Sequence, residues 1–316
     1  MRAEVNAIKK QILKRLLHLA VIIIGLSFLT YLLMYISPGD PAQKKLTAQG
    51  ISVSEETLEA AREELGLNDP FLLRYAKWLG GALTGDLGVS YKDGISVSHK
   101  LVQALRYTLI LSLSSLALAL AMSLPLSVVT AVKKDGVLDN IVRILSFIGN
   151  SLPNFLISVL LMYFFCVKAK LLPVLADESV KGLILPCLAL SIPMCSRFVR
   201  QFRAEVLEQL GRSYVLGARA RGVKSSVILY KNVLHNAMIP ILTIIALSVG
   251  TLLGGSVVVE TIFRWPGLGK LVMDAITARD YPVIQGFVIF TSCVYVLINL
   301  AADICYRRLD PRVEEM

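Results

Sequence analysis

Apolar runs of spanning length alternate with polar breaks along this chain. A membrane-crossing helix needs about 20 mostly apolar residues. Five runs meet that length: Leu16–Ser37, Thr108–Val132, Ile141–Val167, Met238–Ile262 and Val283–Ile304. A sixth, Leu183–Ser196, is short, holds Pro186 and Pro193, and runs into Arg197, Arg200 and Arg203. Long arginine side chains reach back to the interface from below an apolar run. That extends the fourth span to about Phe202 and brings the count to six. An even count returns both termini to one face. Leu16–Ser37 exceeds the apolar length of a cleavable signal, and no small-x-small site follows it, so it reads as a retained first span.

The polar stretches between the runs carry helix signals of their own. Within residues 38–107, Ser52-Val53-Ser54-Glu55 reads as a capping box started by Ser52. The helix it opens runs to Leu65 and stops at Gly66. A second short helix follows Asp69-Pro70, over about Phe71–Leu83, with Tyr75 and Trp78 suited to a membrane interface. This segment is expected to cap the outer end of a pore or to serve as a docking ledge. Arg264-Trp265-Pro266-Gly267-Leu268-Gly269 breaks the fifth run, with Trp265 as another interfacial anchor. Leu268–Ala278 then reads as a short helix, and Asp280-Tyr281-Pro282 opens the last span.

Residues 205–239 stand apart as a long helical segment between spans. Two short helices, about Ser213–Arg221 and Ser225–Leu234, are predicted to meet at Gly222, with Ser225 or Ser226 capping the second. Ala218 and Ala220 keep the first one slim beside the bend. Exposed helical pairs of this kind rest in grooves on other proteins. The chain thus divides into residues 1–15, a first span with its external segment (16–107), a spanning core (108–306) that contains 205–239, and a tail (307–316).

Composition supports a membrane solvent. Of 316 residues, 55% are hydrophobic and 18% charged, whereas soluble domains are about 45–50% apolar and 25% charged. Charge then orients the chain. With both termini inside, and with Arg143, Asp303 and Glu260 counted on the face nearest each, the inside holds 19 Lys and Arg against 9 acids and the outside 14 against 14, so the whole formal +10 lies on one face. That is the positive-inside pattern, and the short loops carry it. The basic residues are spread over four loops without an aromatic platform, which argues against nucleic-acid binding. Cys166, Cys187, Cys195, Cys293 and Cys305 form no CxxC pair and lie in or beside apolar runs, and His18, His99 and His235 are scattered. No zinc or disulfide framework follows from that spacing. Met194 and Cys195 are conceivable soft nickel ligands, though buried thiols and thioethers are ordinary core residues.

Candidate chemistry inside the spans is sparse. Asn150, Ser151 and Asn154 bring polar groups into the third span beside Pro153. A water-filled pathway satisfies such groups, and so do helix–helix hydrogen bonds. Asn299 and Asp303 share one helix face, with Arg307 and Arg308 within reach of Asp303. No His, Asp and Glu cluster suited to an intramembrane enzyme appears. A channel or secondary transporter accounts for the spans, but not for the helical pair at 205–239.

The helical pair carries a family resemblance. It resembles the coupling loop of ABC importer permeases, whose pattern is Glu-Ala-Ala, three residues, Gly, nine residues, then Ile-x-Leu-Pro. Counted from Gly222, the first three positions are Leu216, Gly217 and Ala218, so only Ala218 matches, and the Leu-Pro positions fall on Leu234 and His235. The departures are similar to those of the dipeptide, oligopeptide and nickel branch. That branch's style is seen in Tyr214-Val215, Ala218-Arg219-Ala220-Arg221-Gly222 and Asn236-Ala237-Met238-Ile239-Pro240. Ser37-Pro38-Gly39-Asp40-Pro41, Gly85-Asp86-Leu87-Gly88, Trp265–Gly269, Arg279–Gln285 and Leu309-Asp310-Pro311-Arg312 follow the same style in the same order. The resemblance implies an all-α integral membrane protein with six transmembrane helices and the type I importer permease fold. It implies a non-catalytic transport subunit in the inner membrane of a prokaryote, with both termini cytoplasmic. Its partners would be a second related permease, two ATP-binding subunits, an external solute-binding protein and membrane lipids, with no nucleic acid. The cargo would be a dipeptide, an oligopeptide or nickel. No GxxxxGK[ST] occurs here, so ATP and Mg are expected on the partner subunits and no cofactor on this chain. The resemblance assigns the ATPase contact to Tyr214, Ala218, Arg219, Ala220, Arg221, Gly222, Val223 and Lys224, with Leu234 and His235 following.

Overall fold

A computed structural model describes residues 21–48, 50–176 and 179–309, with the side chains at 48, 251, 253, 255 and 299–309 outside that description. Its described residues are helical apart from turns and one isolated bridge, Val89 with Ser96. Among the described residues, four continuous helices are long and apolar enough to cross a membrane: Val97–Val132, Val180–Leu210, Ser225–Gly250 and Tyr281–Ile298. Two further pairs are bent, Val21–Ile36 with Pro41–Thr47 by 76° and Val137–Ser151 with Asn154–Lys168 by 102°. Six spans result if each bent pair is one crossing. The straight third span predicted over Ile141–Val167 is thus corrected to two helices. Pro153 lacks an N–H and disfavours the helical region for the residue before it, and Leu152 accordingly turns extended (ψ 129°).

The chain forms two compact units. One holds the described residues up to Arg106 together with Lys270–Leu297. Its α1 (Val21–Ile36) packs against α4 (Phe71–Leu83) through aromatic rings. Centroids lie 5.0 Å apart for Tyr35–Phe71, 5.3 Å for Phe28–Tyr75 and 6.0 Å for Tyr31–Trp78. Tyr75 and Trp78, read as interfacial anchors, pack on α1 instead, and the Tyr75 hydroxyl lies 2.9 Å from Ser27 Oγ. Between them α2 (Pro41–Ala48) was not foreseen. Asp40 Oδ1 accepts from the Ala42 N–H at 2.9 Å and Pro41 takes the first helical position, a favoured pairing. Helix α3 (Glu55–Glu64) is capped by Ser54 rather than Ser52, through a box with Thr57. That register keeps Glu55 and Glu56 in the first turn, where the helix dipole favours them, and turns Leu58 and Ala61 toward Ala42 and Leu46. Gly66 ends α3 as predicted, at φ +62°.

Helix α5 (Val97–Val132) begins well before the predicted Thr108. Val97, Leu101 and Ala104 recur at helical spacing and are buried, so an amphipathic entry precedes the apolar run. In this unit Asp280, 3% exposed, accepts the Tyr91 N–H at 2.9 Å and the Ser90 hydroxyl, which pins the 84–96 turn to the start of α13 (Tyr281–Leu309).

The other unit holds Tyr107–Gly269 and the described residues from Ile298. At its centre lies α8 (Val180–Leu210), packed against α6 (Val137–Ser151), α7 (Asn154–Met162, continued by a π turn to Lys168) and α11 (Leu234–Phe263). The doubtful fourth span is therefore the most enclosed helix of this unit. Arg203 does not snorkel. It forks onto Asp139 at 2.7 and 2.6 Å, and that carboxylate is fully buried. Higher up, α6 meets α8 where Gly149 lies on Ser196 so closely that a Cβ would collide with the hydroxyl. Phe198 and Phe202 stack at 5.0 Å within one apolar core, while Ile157, Cys166 and Leu185 belong to a second.

Candidate functional site

Segment 205–239 builds a rigid knob. Helix α9 (Ser213–Ala220) buries Val215 and Ala218 in the core that also holds Phe198, Phe202, Val206 and Ile228. A Schellman turn ends it: the Gly222 N–H donates to the Arg219 carbonyl at 2.9 Å and the Val223 N–H to the Ala218 carbonyl at 3.1 Å. Gly222 stands at φ +76°, where L side chains are strained. The next helix, α10 (Ser225–Val227), starts from Lys224 without a side-chain cap, which corrects the reading of Ser225 or Ser226 as its cap. Leaving the Schellman turn, Lys224 takes the pre-helical conformation (ψ 136°), and Ser225 is already the first helical residue. Nor does this helix stop at Leu234. Through a π turn, Ile228–Val233, it continues into α11, so Ser225–Gly250 is one helix of 26 residues.

The outer side of the knob is apolar at its centre. Leu216 and Tyr230 are 62% and 67% exposed, and Val223 and Val227 are exposed as well. Exposed Arg212, Arg219, Arg221, Lys224 and Lys231 accompany them. Arg212 is held by Glu208, and the Tyr214 hydroxyl donates to Gln209 Oε1 at 3.1 Å. Ala220 and His235 are exposed, and Leu234 is half-buried. An apolar centre among cations is suited to a groove with an acidic margin on another protein.

The remaining predicted residues lie elsewhere. Asn150 and Ser151 end α6, exposed, and Asn154 opens α7, so all three gather at the 102° bend. Ser151 Oγ turns back to the Phe147 carbonyl at 2.8 Å. Asn299 and Asp303 lie on α13, and their side chains fall outside the described ones. Met194 and Cys195 are core residues.

One buried constellation went unread. Glu260, fully buried near the end of α11, accepts from Thr108 Oγ1 at 2.8 Å and from the Gly269 N–H at 2.6 Å. Thr108 Oγ1 in turn accepts the Leu268 N–H at 2.8 Å. Leu268 and Gly269 begin α12 (Leu268–Ala278), so a carboxylate from one helix caps another. A side chain at Gly267 would collide with that carboxylate. Trp265 is 2% exposed and donates to the Tyr107 carbonyl at 3.0 Å, which corrects its reading as an interfacial anchor. The available signal was a lone acid closing an apolar run.

Comparison with known proteins matches residues 123–315 to the family "Binding-protein-dependent transport system inner membrane component" and residues 8–114 to its N-terminal companion. A probable peptide ABC transporter permease protein, y4tP of Sinorhizobium fredii, is 36% identical over 310 residues, covering 96% of this chain and 98% of the relative. The oligopeptide transport system permease protein AppB of Bacillus subtilis is 36% identical, with the same two coverages of 96% and 98%. The nickel import system permease protein NikB of Staphylococcus aureus is 36% identical, covering 96% and 91%. Among solved structures, the MetNI methionine ABC transporter in an inward-facing conformation shares the fold: TM-score 0.57 at 20% identity, over 66% of this chain and 96% of that one.

Proposed function

We propose that this chain, which belongs to the family of binding-protein-dependent transport system inner membrane components, is the membrane-spanning permease subunit of an ATP-driven importer for peptides or nickel. Relatives named for peptide, oligopeptide and nickel transport match it over nearly its whole length. The observation that carries the mechanism is the knob at Gly222. Its inner side is fastened into a core with α8, its second helix is continuous with α11, and its outer side is apolar and exposed. In this reading the knob sits in a groove of an ATP-binding subunit. Closure of two such subunits on ATP pushes α9, and the continuous helix passes the displacement to the spans without a slack loop. Cargo is passed on, not chemically changed, so this chain needs no catalytic residue. ATP and Mg sit on the partner subunits, and no cofactor on this chain.

The reading places the chain in the inner membrane of a prokaryote with both termini and the Gly222 knob cytoplasmic, following the charge asymmetry. A second, related permease completes the pathway, and an external binding protein delivers the cargo. Asn150, Ser151 and Asn154 at the α6–α7 bend are the pathway candidates, with Asn299 and Asp303 on the last span. The test is co-purification of the complex followed by cargo-stimulated ATP hydrolysis in nanodiscs. Tyr230→Glu and Leu216→Asp place charge on the exposed side and leave the core untouched. Loss of the ATPases from the complex is the expected result. Retained complex with full transport in both variants overturns the reading.

A further inference from the structure

The unit formed by α1–α4 and the start of α13 contains a cleft of about 850 Å³, within the range of small-molecule sites, roughly 300–1,000 Å³. Aromatic residues form much of its wall: Tyr31, Tyr35, Trp78, Tyr91 and Tyr281. Its charges are nearly all spoken for. Asp40 is paired with Arg62 at 2.7 Å, Asp69 with Lys77 at 2.7 Å and Glu64 with Lys45 at 2.8 Å. Arg74 is the exception. It is half-buried in the wall, has no carboxylate partner among the described residues, and meets neutral groups instead, the Tyr31 hydroxyl and, at 3.4 Å, the Leu67 carbonyl. Beside it are further polar groups. Gln285, 6% exposed, lines the cleft with its amide. Trp78 Nε1 and the Tyr281 hydroxyl are buried without partners. Buried polar atoms are nearly always paired, so unpaired ones behind the wall mark it as a place where side chains have room to turn toward a bound acceptor.

We infer that this cleft binds a small carboxylate-bearing, peptide-like molecule, its carboxylate on the Arg74 guanidinium and its apolar body against the aromatic wall. A guanidinium recognises a carboxylate through two parallel donors. Tyr and Trp faces supply apolar contact at little entropic cost, and the Gln285 amide offers both a donor and an acceptor to a peptide group. The biological meaning rests on the importer reading: the cleft would hold cargo of the peptide class on the permease itself.

The probe is alanyl-phenylalanine, titrated by calorimetry into the full chain in lipid nanodiscs, against its C-terminal amide. Saturable binding of the free acid with Kd below about 1 mM is expected. The amide should bind about tenfold or more weakly, the scale of one lost charge-assisted pair. Arg74→Gln should weaken the acid by a similar factor and abolish the preference for it, Arg74→Lys should retain part of it, and Arg200→Gln, outside the cleft, should change nothing. No saturable binding to the wild-type chain, equal binding of acid and amide, or full binding by Arg74→Gln overturns the inference. Failure of the importer reading shows separately, as a chain that recruits no ATPase whether or not it binds the dipeptide.

Discussion

Gly222 has open space where a side chain would stand, yet its backbone sits at φ +76°. Its requirement is therefore conformational and not steric, which separates two substitutions that crowding would treat alike. Alanine has no means of easing the left-handed region and should cost about 1 kcal/mol. Asparagine enters that region more readily, so it should cost less although it is larger. Thermal unfolding of the purified chain is expected to rank wild type above Gly222→Asn above Gly222→Ala. Cargo-stimulated ATP hydrolysis should follow the same order if the turn must hold its shape to transmit force. If the two variants unfold and couple alike, the left-handed turn is not what the position needs. The glycine itself was legible in the sequence as the meeting point of two helices. The Schellman bonds that it closes run to the carbonyls of Ala218 and Arg219, and Ala218 is small because its side chain is buried in the core.

Whole elements were readable where chemistry punctuates the chain locally. Asp69-Pro70 starts α4 and Trp265-Pro266-Gly267 precedes α12, and both helices, Phe71–Leu83 and Leu268–Ala278, have the predicted ends. Reading failed where polar residues hide an amphipathic stripe, as in the first turns of α5. It failed again where one proline outweighs an apolar run, as at Pro153. The coupling knob was legible as a helical pair, but its continuity with α11 was not, because His235 and Asn236 look like a polar break until Ile228, Val233 and Ala237 are seen buried on one side. The cap on α12 was hidden for a different reason: Glu260 finds Thr108 152 positions away, and no local pattern announces such a pairing. Two glycines test this junction of elements. A side chain at Gly269 would collide with the Val257 backbone on α11, whereas Gly254 faces open space. Gly269→Ala should therefore lose about 1–3 kcal/mol. Gly254→Ala should be neutral or gain up to about 1 kcal/mol from helix propensity. Equal unfolding midpoints for the two variants in mixed micelles would contradict the close approach of α12 to α11.

For the molecule as a whole, the number of crossings turns on the two bent pairs, and the more sharply bent, α6–α7, is either a broken span or a re-entrant loop that leaves on the side it entered. Its contacts with α8 decide between them. Asp139 at the start of α6 holds Arg203, Gly149 lies on Ser196, and Ile157 and Cys166 share a core with Leu185. As the pair advances, its partners retreat steadily along α8. Leu185 to Arg203 measures about 27 Å at 1.5 Å per residue, close to the roughly 30 Å of a bilayer's hydrocarbon core. The far end agrees: the Ala176 N–H donates to the carbonyl of Phe263, the last residue of α11, at 2.9 Å. A re-entrant loop would double back toward Arg203, and this pair does not. It crosses antiparallel to α8 and pays for its bend with the exposed amide of Asn150 and the half-buried one of Asn154, which water or cargo in a pathway would satisfy. Single cysteines at Lys134 and Lys170, in a chain cleared of native cysteines, bracket the pair. A membrane-impermeant maleimide should label Lys170→Cys in right-side-out vesicles and Lys134→Cys only in inverted ones. Labelling of both from the same side would make the pair re-entrant, remove one crossing, and place the two termini on opposite faces.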